Sequence, residues 1–300
     1  VSAAVAVEPL TVTEPGIYDI PAADYHRDPV PGGSMSSTGA RRILPPGSPE
    51  KFAWEAEHGR PERRVFDLGH AAHREVLGDG EIVVVVEAED YKTKAARDAR
   101  DAAYAAGKAP ILRREYTDTV LPMAAAIRAH PIAGRLFAPG RGRAELSLFW
   151  WDGTGPGRVM RRSRPDWLPD PAPGRRLIVP EYKTCASAAP DDLAAAIGRY
   201  GYYQQAAWNL DAVETLLDTD QQPAFVFVFQ EKDPPYAVSV VQLAHTALQL
   251  GRERNSRALA LYRRCRREDR WPGYSDDKVI DLALPGWLEN RLSLEVDDDD

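Results

Sequence analysis

The chain is poor in cysteine, has no long apolar run and carries no excess of basic charge. Cys185 and Cys265 are too few for a disulfide framework or a zinc cluster, which fits a reducing cytoplasm. No apolar stretch approaches the roughly 20 residues needed to cross a bilayer. The opening VSAAVAVEPL has no basic leader and no long apolar segment, so no signal peptide is expected. The net charge of −7 argues against a protein that coats nucleic acid by bulk charge. It leaves room for an enzyme with a local basic channel. Part of the acidity is the run Asp297 to Asp300, read as a solvated tail. There is no Gly-rich phosphate loop, nucleophile elbow or zinc spacing, so a generic metabolic α/β enzyme finds little support.

What is present is ordinary globular material. Over 300 residues, 44% are hydrophobic and 28% charged, enough to bury a sizeable core. Residues 1–15 read as a loose arm. Residues 31–48 read as Gly-, Ser- and Pro-rich loops around a short helix near Ser37–Leu44, with Ser36, Ser37 and Thr38 as candidate N-caps. Helices are expected over 49–58, Phe66–Leu77, 91–107 and 117–130, with a strand at Ile82–Glu87. After Gly140 the pattern turns to strands at Ala144–Trp151, Arg158–Leu168 and Arg176–Thr184. Pro190, Asp191 and Asp192 then open one long helix to about Asp218, proline and carboxylates suiting a first turn. Strands at Ala224–Gln230 and Ala237–Leu243 and a basic-flanked helix over 245–267 complete the order. That order predicts an α/β or α+β domain, a central mixed sheet flanked by helices.

The second and third strands of this region are joined by PDPAPG, with its midpoint between Pro173 and Gly174. Symmetric pairing about that midpoint sets Asp166 opposite Glu181, and directly opposed side chains lie about 5 Å apart. Lys183, two residues after Glu181, projects from the same face, while Tyr182 points away. Carboxylates this close repel unless a cation intervenes. Lys183 would supply part of the compensation and a divalent ion the rest, Mg²⁺ or Mn²⁺ being favoured by hard oxygen ligands. The bland alternative is a surface ion pair. Downstream, Tyr202 and Gln205 share a helix face at i, i+3. Upstream, GHAAH places His73 one turn after Gly69.

Seven pieces carry a resemblance: GIYDIPAADYH (16–26), SMSSTGARRIL (34–44), FDLGHAAHREVLG (66–78), AELSLFW (144–150), RSRPDWL (162–168), IVPEYKT (178–184) and GYYQQAAW (201–208). In this order they resemble the PDDEXK exonucleases of the RecE (exodeoxyribonuclease VIII) type, often encoded by phages and prophages. The resemblance implies a restriction-endonuclease-like core and metal-dependent digestion of linear double-stranded DNA from its ends, 5′ to 3′. It also implies a ring-like homo-oligomer, and a single-strand annealing protein as partner. By family position, Asp166 and Glu181 are the metal carboxylates and Lys183 the catalytic lysine. His73 joins the metal, Glu145 is an additional acid near it, and Tyr202 and Gln205 match the helix motif that supports the site or the DNA. Two departures stand out: Glu181 where the family often has Asp, and Asn209 where such helices commonly carry Tyr. The implied division is 1–60 arm and short helices, 61–275 nuclease domain and 276–300 tail.

Arginines are the candidates for nucleic-acid contact. Alternation puts Arg162 and Arg164 on the Asp166 face, and guanidinium pairs well with phosphate; the alternative for Arg164 is pairing with the site's own carboxylates. Arg41 follows a Ser-rich helix start whose backbone N–H groups would hold a phosphate. The basic residues between Arg252 and Arg267 read as a solvated face, Trp150, Trp151 and Trp167 as core or strand-edge residues, and His70 and Cys185 as structural. The competing functions are another nuclease on the same fold, acting on single-stranded or branched DNA, and a non-catalytic DNA-binding scaffold.

Overall fold

In the computed structural model, which describes residues 10–59, 67–276, 279–289 and 291, serine and proline set the first helices. β1 (Gly16–Tyr18) leads through α1 (Ala22–His26) and β2 (Met35–Ser36) to α2 (Ser37–Ile43) and α3 (Pro49–His58). Ser36 Oγ accepts from the Gly39 N–H at 3.1 Å and Ser48 Oγ from the Lys51 N–H at 3.2 Å. Each satisfies a donor that a helix start leaves orphaned. The expected arm is not wholly loose. Val12 is 1% exposed and packs with Ile20, Tyr25, Val30, Phe149 and Met160, because Phe149 and Met160 need a cover that α1 alone does not supply. Residues 1–9, Phe66 and Asp297–Asp300 lie outside the described residues, as do 277–278, 290 and 292–296 of the expected tail.

Next come α4 (Asp67–Leu77), β3 (Val83–Val86), α5 (Lys94–Ala105) and β4 (Ala109–Leu112). α6 (Arg113–Glu115) runs through a π-helical stretch, Tyr116–Val120, into α7 (Leu121–Ala129), and α8 (Ala133–Leu136) follows. The two strands expected at 144–151 and 158–168 do form an antiparallel hairpin, but each is broken. They appear as β5 (Gly142–Ala144) with β6 (Ser147–Asp152), and β7 (Val159–Ser163) with β8 (Trp167–Pro169). β5 pairs with β8 and β6 with β7 in one continuous register, which sets Glu145 opposite Asp166 across the break.

β9 (Ile178–Cys185) makes no ladder with β8 among the described residues. It pairs in parallel with β10 (Ala224–Glu231), and β10 pairs antiparallel with β11 (Val238–Gln242). The expected cross-strand pair of Asp166 with Glu181 is therefore corrected. The residue opposite Asp166 is Glu145, and Glu181 reaches Asp166 from the neighbouring strand through side-chain bonds to backbone. The long helix expected to Asp218 is also two helices, α9 (Pro190–Tyr200) and α10 (Tyr202–Leu216). Gly201 between them is left-handed, φ 67° and ψ 33°, which ends α9 at little steric cost because glycine has no Cβ. α11 (His245–Glu268) is the last long helix.

The result is an α/β fold with central mixed sheet flanked by helices. Strand order is β1-β6-β7-β2 in one sheet and β11-β10-β9 in another. Alternation along β10 divides the core in two. Phe225, Phe227 and Phe229 face α2, α10 and α11, in a cluster with Ile43, Trp150, Trp208 and Leu259. Val228, with Tyr182 of β9, faces α4, α7 and α8 through Ala72, Met123, Ile127 and Ala133. Trp150 and Trp167 are core residues, as their strands predicted.

Candidate metal centre

The interruption in the hairpin makes the site. Leaving the ladder at Arg164–Asp166 turns the Asp166 carboxylate toward β9, where its Oδ2 accepts the Tyr182 N–H at 2.7 Å. The Asp166 N–H faces Glu181 Oε2 at 3.4 Å. Glu145 has a φ of 56°, a left-handed backbone that costs a non-glycine residue on the order of 1–3 kcal/mol and clusters at functional sites. Its N–H still reaches the Asp166 carbonyl at 3.2 Å.

α4 lays His73 over this break. His73 Nε2 lies 3.2 Å from Asp166 Oδ1 and 3.6 Å from Glu145 Oε1. One ligand atom from each of His73, Glu145 and Asp166 falls within 4.8 Å of the others, the spacing a single cation needs. Gly69, one turn before His73, brings α4 against β9 beside Thr184, and a Cβ there would sit 3.4 Å from Thr184 Oγ1. On the far side of the imidazole, Gly80 has a φ of 118°, and a Cβ would come within 3.2 Å of His73 Nδ1. Gly80 was not singled out in the sequence, although its place in a Gly-Asp-Gly turn just after α4 was a signal.

Next to this trio stands a second set. Lys183 Nζ donates to Glu181 Oε1 at 2.6 Å, and Gln205 Nε2 donates to the same oxygen. Tyr202, one turn before Gln205, packs on Phe227 and Phe229, with centroids at 5.5 and 6.0 Å, and its hydroxyl feels the charge of Lys183. Asp166 and Glu181 are only 7% and 2% exposed. Asn209, the departure on α10, is buried and bonded to Ser163.

Burial and charge set the protonation states. Burial raises Glu181, and repulsion from Asp166 adds to it beyond what Lys183 offsets, so the carboxyl is pushed well above its usual range. Burial also works against ionised Asp166, but Lys183 and His73 outweigh it and hold that carboxyl low. Burial and Asp166 raise Glu145. Burial opposes charge on His73 and Lys183, and in both the neighbouring carboxylates win and raise the pKa. The site thus has more negative charge than its own lysine and histidine neutralise at ease, which is the environment a divalent ion relieves.

The expected arginines are held by internal partners. Arg164 donates to Glu145 Oε2 at 2.5 Å, to the Ile20 carbonyl at 2.9 Å and to Ser147 Oγ at 2.7 Å. Arg162 pairs with Asp28 and donates to Ser34 Oγ at 2.7 Å. Both lie over the ring of Tyr25. Arg41 donates to the Tyr200 carbonyl at 2.9 Å and to Thr38 Oγ1 at 3.1 Å. His70 sits apart from the trio and pairs with Glu81 at 2.6 Å.

No protein-family model matches the chain, and no curated protein matches it. Among solved structures, a protein from Eubacterium rectale bearing the name "Putative exonuclease" superposes with a TM-score of 0.55 at 11% identity, over 89% of this chain and 97% of that one. The two share a fold. SSO0001 aligns over 70% of this chain and 83% of that one at 15% identity, but its TM-score of 0.30 carries no weight.

Proposed function

We propose that this chain is a metal-dependent nuclease with a PDDEXK-type site, which digests linear double-stranded DNA from its ends, 5′ to 3′, as its resemblance to the RecE type implies. The observation that supports this most is the convergence of His73, Glu145 and Asp166 beside Glu181, Lys183 and Gln205. One imidazole nitrogen with two or three carboxylates is a donor set for Mg²⁺ or Mn²⁺. His73, Glu145 and Asp166 would hold the ion, with Glu181 as the further carboxylate at its side. When bound, such an ion polarises a phosphoryl oxygen and acidifies a water.

The chain's own groups have separable tasks. Lys183, with a raised pKa, stays protonated and serves as a hydrogen-bond donor to the phosphate or the attacking water rather than as a base. Gln205 fixes the Glu181 carboxylate that Lys183 also holds, so the ammonium is positioned before substrate arrives. Arg164 holds Glu145 in its left-handed turn. Arg162 and Arg164, each paired with a carboxylate, therefore act as braces, and the phosphate contact proposed for Arg41 stands beside its bonds to the Tyr200 carbonyl and Thr38 Oγ1.

The test compares purified protein on linear and closed circular duplex DNA, with Mg²⁺, Mn²⁺ or EDTA, beside a Lys183→Ala variant. Metal-dependent loss of linear DNA alone, abolished in the variant, supports the end-dependent exonuclease. Cleavage of circular or single-stranded DNA moves the reading to another nuclease on the fold. DNA binding with no cleavage in either metal leaves only the scaffold. The ring-like homo-oligomer and the annealing partner belong to the same reading. Light scattering of the purified chain checks the first, and co-purification with a candidate annealing protein checks the second.

A further inference from the structure

The join between α9 and α10 exposes a large aromatic ring beside the candidate site. Tyr200, the last residue of α9, is 52% exposed. Its ring is ordered by its neighbours. The Tyr202 ring lies 5.7 Å away at a tilt of 38°, and the Arg199 guanidinium lies 5.6 Å over its face. Its carbonyl is held by Arg41, whose side chain lies across Gly201 so closely that a Cβ there would meet Arg41 Cδ at 2.9 Å.

The ring's position follows from the left-handed turn. Gly201 ends α9 and starts α10, whose next residues, Tyr202 and Gln205, turn toward Lys183 and Glu181. Tyr202 is partly buried against β10, interacts electrostatically with Lys183 and adjoins the Tyr200 ring. Tyr200 is thus the exposed member of an aromatic pair whose inner member lies within the field of the Lys183 charge. Arg41 and Arg199 add positive charge on the same rim.

An exposed ring flanked by cations is the chemistry that binds single-stranded nucleic acid, the ring stacking on a base and the cations meeting its phosphates. In a fully paired duplex every base face is already stacked except the outer face of the terminal pair. We infer that Tyr200 is a stacking platform for an unpaired base at the DNA end, with Arg199 and Arg41 on the adjoining phosphates. The inference rests on the nuclease reading and deepens it: the site prefers ends whose last bases are open. Tyr200 is a specificity residue that contacts substrate away from the reacting phosphate.

The test measures binding apart from cleavage. Fluorescence anisotropy with the Lys183→Ala chain, in Ca²⁺, compares a labelled duplex having a two-base mismatched end with the same duplex fully paired. The mismatched end is expected to bind more tightly, and Tyr200→Ala to weaken it about tenfold while sparing the paired duplex, so that the preference vanishes. Tyr200→Phe, which keeps the ring, is expected to restore it. Tyr200→Leu, which keeps bulk without a π face, is expected to behave as alanine and covers any disturbance of the helix join by truncation. Equal preference in Tyr200→Ala and its parent, or full preference with leucine, overturns the inference. Cleavage by the wild-type chain is scored separately. Wild-type cleavage with a Tyr200-independent preference defeats the platform alone, whereas a Tyr200-dependent preference without cleavage in any metal defeats the nuclease reading alone.

Discussion

Replacing Glu181 by glutamine should stabilise the metal-free protein at alkaline pH while abolishing its activity. Burial and the Asp166 carboxylate raise Glu181 from 4.5 to about 7, with Lys183 already counted against them. A carboxyl raised on folding is a liability when ionised. Below pH 4.5 it is protonated in both states and costs nothing. Between 4.5 and about 7 the unfolded chain loses the proton first, so stability falls as pH rises; above that range the whole penalty applies. The shift corresponds to roughly 2–4 kcal/mol. Glutamine is nearly isosteric, stays neutral and removes the penalty. Denaturation in EDTA should therefore show Glu181→Gln equal to wild type near pH 4.5 and more stable at pH 8, by roughly 5–10 °C in Tm for a chain of this size. Mn²⁺ should reverse the order at pH 8, because the ion stabilises the ionised site of the wild type and takes it up with release of protons. A glutamine variant no more stable than wild type at pH 8 in EDTA, or a gain of the same size at both pH values, would overturn this electrostatic account.

The other expectations use the same site. Asp166→Asn should have the opposite signature: Asp166 is held at about 2 by Lys183 and His73 despite its burial, so its stabilisation is present above pH 4 and fades toward pH 2. Acid denaturation curves of variant and parent should converge at the low end. His73→Ala should weaken Mn²⁺ binding by about tenfold or more, read by calorimetry, because the trio loses its nitrogen ligand. Arg164→Ala removes one partner of a largely but not fully buried ion pair and two further hydrogen bonds, so urea titration should show a loss approaching the roughly 3–5 kcal/mol of breaking a buried pair. Lysine at 164 keeps the charge but not the fork, and should recover only part of it. Asn209→Ala should cost about 1–3 kcal/mol by stranding the buried Ser163 hydroxyl, with cleavage retained in proportion to folded protein.

Features that depend on neighbours along the chain are legible in the sequence. Ser36 announces a helix start because an N-cap acts over three residues, and Ile82–Glu87 and Ala224–Gln230 read as strands because their residue types suit a pleated surface. Glu181 and Lys183 share a face by strand alternation, and Tyr202 and Gln205 by helical spacing, so both pairs follow from spacing along the chain. Their meeting does not, since Gln205 reaches Glu181 only once α10 lies on β9 and β10.

The remaining features depend on how the elements pack. Strand alternation cannot foresee that the hairpin breaks at Glu145 and at Arg164–Asp166, since nothing local requires it; the break is held by Tyr182 and His73 from other elements and by the Arg164–Glu145 pair within it. That choice set Glu145, not Glu181, opposite Asp166 and turned Arg164 inward. Gly201 was visible as a residue, but its left-handed turn follows from where α10 must point to bring Gln205 to Glu181. Local rules fix which groups lie side by side on one element. Which groups converge from several elements is fixed by how the core packs, and the candidate metal centre is of the second kind.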